Sequence, residues 1–168
     1  SELLSADSHR LYRQIVGKLL YLTTKTRPDI ANAVRDLTKH LDAPMEEHLK
    51  AARRLVSFVT STHDQFLAIT SEPIDSYVEA YCDSDFAGDP NSRHSVTGFV
   101  IFFCGVAIAW RSKAQKLVTL SSSEAEYVML TDCGKDIIFV RNLLQTVQWK
   151  IQGTIVHVDK IGAIFIAN

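Results

Sequence analysis

The chain has no apolar run approaching the roughly 18 residues that cross a membrane, and its polar opening, SELLSADSHR, is no secretory signal. It has no excess charge of one sign: the formal net charge is -1 over 168 residues. It therefore lacks the global attraction to phosphate that a basic chain has, and any nucleic-acid contact has to be local. Cysteine is scarce, with Cys82, Cys104 and Cys133 lying in apolar stretches without C-x-x-C spacing. An odd count without ligand spacing argues against a disulfide framework, and the expectation is a reduced, soluble, intracellular protein of cytoplasm or nucleus with no membrane attachment. Internal repeats and low-complexity segments are missing too. What is present is ample: 46% hydrophobic residues supply a core for one domain, or for one domain with a small appendage.

From Ser8 to about Thr62 the apolar periodicity is helical. Leu11, Ile15, Leu19 and Leu22 form one stripe, Ile30, Val34, Leu37 and Leu41 a second, and Leu49, Ala52, Leu55, Val56 and Val59 a third. Three helices fit, with Pro28 in the first turn of the second and Pro44 doing likewise before the third. Lys50, Arg53 and Arg54 flank the third stripe, but basic and acidic residues nearly balance in this region, so a solvated face is favoured over a phosphate site.

The stretch SEPIDS (71–76) reads as a boundary, dividing a helical segment, 1–72, from a second region, 73–168. Beyond it YVEAYCD (77–83) alternates like a strand, and TGFVIFFC (97–104) and VAIAWR (106–111) form a hairpin around Cys104-Gly105. KLVTL (116–120) reads as another strand, a long helix runs from the serines to about Val147, and TIVHVD (154–159) is a further strand. KIGAIFIAN reads as the start of a last helix. The expected architecture is α/β, with a mixed five-stranded sheet.

The helix opens within VTLSSSEAEYVML (118–130). Stepping from Glu126 by fours and threes gives Leu130, Cys133, Ile137, Val140, Leu144 and Val147, so Glu126 heads an apolar stripe and points toward the sheet. Glu124 lies about 200° around the helix from it. Ser121 and Glu124 have the spacing of a capping box, but so do Ser123 and Glu126, which would make Glu126 a structural residue. The helix alone leaves the two readings even.

Two aspartates shift the balance. Asp83 ends YVEAYCD and Asp159 ends TIVHVD, and groups beyond the carboxyl ends of parallel strands converge on one crevice. Glu126, on the inward face of the helix's first turn, can reach the same place. Either aspartate alone is more simply a turn or cap residue. Three carboxylates together repel unless cations neutralise them, which points to a hard, oxygen-preferring ion such as Mg²⁺.

These segments resemble the ribonuclease H domain of Ty1/copia-type retrotransposon polyproteins. YCDSDFAGDPNSRHSVTGFVIF resembles the family's D-A-D-W-A-G-D segment with the strand after it. IAWRSKAQKLVTLSSSEAEYVML resembles its I-S-W-x-S-K-K-Q and S-S-T-E-A-E-Y run, and VDKIGAI its D-N-x-x-A-I. YRQIVGKLLYLTTKTRPDIANAV and HLKAARRLVSFVTST resemble the connecting segment between reverse transcriptase and ribonuclease H. The resemblance covers nearly the whole chain. It implies a ribonuclease H-like fold in which Asp83, Glu126 and Asp159 are catalytic metal ligands for Mg²⁺ or Mn²⁺. In the family two ions about 3.5–4 Å apart hydrolyse RNA in an RNA–DNA hybrid, a partner recognised by backbone geometry and the 2′-hydroxyl.

The departures set further expectations. The family's fourth carboxylate lies on a helix beyond Asn168, so the chain is expected to carry a truncated C-terminal helix and to cleave a hybrid slowly or not at all, better in Mn²⁺ than in Mg²⁺. Lys160 replaces an Asn and sets a cation beside Asp159. Phe86 for Trp and Ser84 for Ala are mild. In the third helix SFVTST replaces R-Y-L-K-G-T, which removes two basic residues. The alternative reading is a domesticated, non-catalytic module that binds a protein or nucleic acid through the same fold.

Overall fold

The computed structural model describes residues 3–69, 77–88 and 92–159. They fall into two compact units divided between Leu67 and Ala68. The stretch SEPIDS, Lys160 and the expected last helix lie outside the described residues.

The first unit is helical: α1 (Ala6–Lys25), a single 3₁₀ turn (Pro28–Ile30), α2 (Ala31–Thr38) and α3 (Glu46–Ser61). Pro28 opens the 3₁₀ turn rather than α2 itself, because its fixed φ and missing N–H suit a first turn. The core consists of Tyr12, Val16 and Leu19 from α1 with Ile30, Val34, Leu37, Leu49 and Ala52. On α1 this stripe is turned one residue from the expected one. Tyr12 and Val16 take its centre, while Ile15 and Leu22 pack at the margin. The Tyr12 hydroxyl donates to the Leu37 carbonyl at 2.7 Å, so a large ring can be buried with its polar tip satisfied.

Two polar clusters fix the turns of this unit. Arg27 is buried and donates twice to the Asp29 carboxylate (2.9 and 2.8 Å) and twice to Thr62, which ties the turn after α1 to the end of α3. That hydrogen-bonded pairing holds the Asp29 carboxyl below its usual range. At the start of α3, His48 Nδ1 accepts the Met45 N–H at 2.9 Å, and its ring stacks on His40 with centroids 3.7 Å apart. Burial, and then the charge of His40, lower the His48 pKa.

The second unit holds β1 (Tyr77–Asp85), β2 (Val96–Phe103), β3 (Val106–Ala114), α4 (Ser122–Thr146) and β4 (Gly153–Val158). The sheet order is β3-β2-β1-β4. β1 pairs antiparallel with β2 and parallel with β4, so the strands that lead into Asp83 and Asp159 are parallel neighbours, as expected. Cys104 and Gly105 both take positive φ, 49° and 73°, the geometry of a type I′ hairpin turn that matches strand twist. One sheet face is covered by α4: Val78, Ala80, Cys82, Phe99 and Ile101 pack on Met129, Cys133, Ile137 and Val140.

Among the described residues the mixed sheet has four strands, not five. KLVTL is not a strand. β3 runs on to Ala114 opposite Val96, and the Gln115 N–H then turns back to the Ser95 carbonyl at 2.8 Å. Leu117, Val118 and Leu120 are exposed. The Leu120 N–H is taken by the Glu124 carboxylate at 2.7 Å, so that backbone group serves the helix start rather than a ladder.

Two outcomes test this packing. Tyr12→Phe removes one buried hydrogen bond while the Leu37 carbonyl keeps the His40 N–H, and should cost about 0.5–1.5 kcal/mol in denaturant unfolding. A base whose folded pKa is depressed takes up a proton more readily when unfolded. The stability linked to neutral His48 is therefore full above the ordinary histidine value of about 6.5 and declines as pH falls through it. Thermal melting of the chain should thus drop between neutral pH and about pH 5.5, and His48→Asn, which keeps an acceptor for Met45, should flatten that slope.

Candidate metal centre

The start of α4 decides where its acids go. Ser121 is the N-cap: its hydroxyl accepts the Glu124 N–H at 3.1 Å, while the Glu124 carboxylate accepts the Leu120 N–H. The cap therefore uses Ser121 and Glu124, not Ser123 and Glu126. Glu126 is left on the sheet-facing side, only 1% exposed, and its Oε2 has no hydrogen-bond partner.

A buried polar layer surrounds this end of the helix. The Gln115 side chain donates to Thr97 Oγ1 (3.2 Å) on β2 and to the Ala125 carbonyl (2.9 Å), the residue before Glu126. It clasps the first turn of α4 to the sheet. Ser95 extends the layer, accepting the Ala87 N–H at 3.1 Å and meeting Thr119 Oγ1 at 2.8 Å. Ser84 Oγ and Gln115 Oε1 are, like Glu126 Oε2, buried without partners. Sequence reasoning missed the roles of Gln115 and Ser95; the one available sign was the glutamine's place in the S-K-A-Q run. Gly88 was overlooked as well: a Cβ there would collide with the Asp85 carboxylate.

Asp83 and Asp159 come to neighbouring positions. The last paired rung of β1 and β4 is Cys82 with Val158, and each aspartate follows directly. Both are exposed. Strand alternation buries Cys82 and Ser84 toward α4, so Asp83 leaves β1 on the opposite, open face. It lies opposite Gly98, where even an added Cβ would meet nothing nearer than the Asp83 carbonyl oxygen, 3.7 Å away. Glu126 sits at the same level beneath β1, near enough that its charge adds to what raises the Cys82 thiol pKa. The larger causes there are the hydrogen bond between Cys82 and Cys133 (3.1 Å) and burial. All three acids thus lie at the carboxyl end of the sheet, Asp83 on the open face, Glu126 on the face that α4 covers, and Asp159 just past the end of β4. Among the described residues no three His, Cys, Asp or Glu side chains are gathered into a group able to hold a metal ion.

On the same open face His157 and Tyr81 stack with centroids 4.4 Å apart, and both hydrogen-bond to Glu79 Oε1 (2.7 and 2.9 Å). The His157 bond, then that of Tyr81, holds the Glu79 carboxyl below its usual range. This cluster braces β1 against β4 just ahead of the aspartates.

The arrangement, a mixed sheet backed by one long helix with acids at its carboxyl end, is compatible with a ribonuclease H-like fold. The chain is 38% identical over 154 residues to the Retrovirus-related Pol polyprotein from transposon TNT 1-94 of Nicotiana tabacum, covering 91% of this chain and 11% of that protein. It is 33% identical over 156 residues to the corresponding polyprotein of transposon RE1 of Arabidopsis thaliana, covering 92% and 10%. A shorter relative, Secreted RxLR effector protein 161 of Plasmopara viticola, is 36% identical over 129 residues, 77% of this chain and 90% of that protein. The chain belongs to the Ty1/copia-type retrotransposon Pol polyproteins, and it spans about a tenth of the length of the two polyproteins it matches. No family model and no solved structure matches it.

The cap assignment has a direct check. Ser121→Ala should cost about 1 kcal/mol of stability and Ser123→Ala close to nothing. Glu126→Met, which removes a buried carboxylate with an unpaired oxygen, should raise the unfolding free energy in a denaturant titration by about 1–3 kcal/mol. Such a gain marks a residue kept at a cost to the fold.

Proposed function

We propose that the second unit is a ribonuclease H-like domain that hydrolyses RNA in RNA–DNA hybrids with Mg²⁺ or Mn²⁺, using Asp83, Glu126 and Asp159. The observation that carries this reading is Glu126: a carboxylate placed under the sheet by its own helix cap, buried, and left with an unpaired oxygen. A buried carboxylate oxygen without a partner is a hard-oxygen donor of the kind these ions take, and binding would have to draw it together with Asp83 and Asp159, which follow the paired ends of adjacent parallel strands. Membership in the retrotransposon Pol polyproteins supports the same class of chemistry.

In this reading Asp83 and Asp159 present their oxygens past the paired ends of β1 and β4, and Gly98 sets no side chain opposite Asp83. Gln115 fixes the depth of the first turn of α4, and with it the height of Glu126. When bound, the ions would activate a water and stabilise the leaving oxygen. Recognition of the hybrid rests on duplex shape and the 2′-hydroxyl rather than base identity.

A second reading is favoured by one comparison. The chain covers 90% of a short relative, the effector protein of Plasmopara viticola, so a chain of this kind also exists apart from a polyprotein. A non-catalytic module that binds a protein or nucleic acid through this fold would suit such a setting.

Calorimetric titration separates the two. Under the first reading Mn²⁺ binds the chain, Glu126→Gln weakens binding by about tenfold or more and Glu124→Gln leaves it unchanged, because only one of these acids faces the site. Equal losses, or no binding by the parent chain, would sink the metal reading. Cleavage of a labelled hybrid, abolished by Asp83→Asn, would exclude the non-catalytic module.

A further inference from the structure

The core of the second unit holds a pair of groups that the carboxylate site does not use. Cys82 on β1 and Cys133 on α4 face one another with their sulfurs 3.1 Å apart, and both thiols are free. A buried cysteine is ordinarily a small apolar filler, and that accounts for either thiol alone. It does not account for the spacing. Nonbonded carbon atoms sit roughly 3.5–4.0 Å apart, and sulfur is the larger atom. The two sulfurs need to approach by only about 1 Å to reach the length of a disulfide.

The third cysteine sharpens the pairing. Cys104 stands in the turn after Phe103, which pairs with Val78, whereas Cys82 pairs with Phe99. Four residues of strand separate these rungs, about 13 Å. A disulfide requires α-carbons within about 7 Å of each other, so Cys104 cannot take the place of Cys133 opposite Cys82 while the sheet is intact.

We propose that Cys82 and Cys133 are an oxidation site: a hydroperoxide converts the pair to a disulfide that fastens α4 to β1, and a thiol reductant opens it again. Cys82 keeps 6% of its surface exposed and Cys133 none, so the oxidant meets Cys82 first. The Cys82 sulfur takes one peroxide oxygen, the O–O bond breaks, and the thiol proton leaves with the other oxygen as water. The Cys133 sulfur then attacks that sulfenic acid. The S–S bond forms, the S–O bond breaks, and the Cys133 proton leaves with the hydroxide as a second water. Both sulfurs are oxidised and the peroxide is reduced. Apolar surroundings slow the first step, so the pair responds to sustained peroxide and not to a brief pulse. The link joins residues 51 apart in sequence, and closing so long a loop restricts the unfolded chain. Cys82 directly precedes Asp83, and Cys133 stands two helical turns after Glu126. The link therefore also fixes the strand and the helix that carry two of the three acids.

The reaction needs no metal, so a chain that bound none would still show it. The test uses the whole chain with Cys104→Ser, which leaves the core pair untouched. It is held in hydrogen peroxide, and any remaining thiols are alkylated in denaturant. The expected product is a monomer lighter by two hydrogens that takes up no alkyl group, with the peptides holding residues 82 and 133 joined. Oxidation should raise the thermal midpoint of the second unit by about 10 °C or more, and dithiothreitol should return both mass and midpoint. Cys133→Ala should abolish both the link and the rise. Two thiols still alkylated after prolonged peroxide in a folded chain would overturn the proposal. So would a link formed only in denaturant or between chains, sulfinic acid in place of a link, or a disulfide that lowers the midpoint.

Discussion

The seating of α4 on the sheet is the constraint on which the second unit depends. One helix covers one face, so the depth and rotation of its first turn set which side chains are buried and which can reach the sheet's carboxyl end. Three contacts fix that turn: the Ser121 hydroxyl on the Glu124 N–H, the Glu124 carboxylate on the Leu120 N–H, and the Gln115 amide on the Ala125 carbonyl. The Arg111–Asp136 pair, at 2.8 Å, holds the helix to β3 further along. With the turn held this way, Glu126 has nowhere to go but inward.

That placement runs against the fold's own interest. A buried carboxylate oxygen without a partner carries a desolvation cost that an apolar side chain would avoid, and Ser84 Oγ and Gln115 Oε1 repeat the pattern nearby. The apolar core beyond, from Met129 to Val140, has no such conflict. Local violation amid general consistency is what separates a site from a scaffold.

Much of this was legible in the sequence because periodicity is a strong signal. The hairpin around Cys104-Gly105, the extent of α4, the parallel pairing of the strands before Asp83 and Asp159, and the inward aim of Glu126 all follow from spacing. What misled was apolar composition without context. KLVTL reads as a strand, yet no strand pairs with it once β3 has continued to Ala114. On α1, leucines suggested the stripe that Tyr12 and Val16 occupy, since a hydroxyl's distant partner, the Leu37 carbonyl, cannot be seen from spacing. The Gln115 clasp was invisible for the same reason: its partners lie on β2 and α4, and only tertiary structure brings them together.

The register of the sheet also orders events in time. β2 and β3 meet across a two-residue turn, but β1 pairs with β4 through partners such as Tyr77 and Gly153, separated by the hairpin and the whole of α4. Closing so long a loop costs chain entropy before any contact returns it. The hairpin and helix therefore form ahead of the parallel pair, and β4 joins a surface already built. Asp83 and Asp159 become neighbours only at that step, so a nascent or partly unfolded chain can carry most of its core while the two acids remain apart.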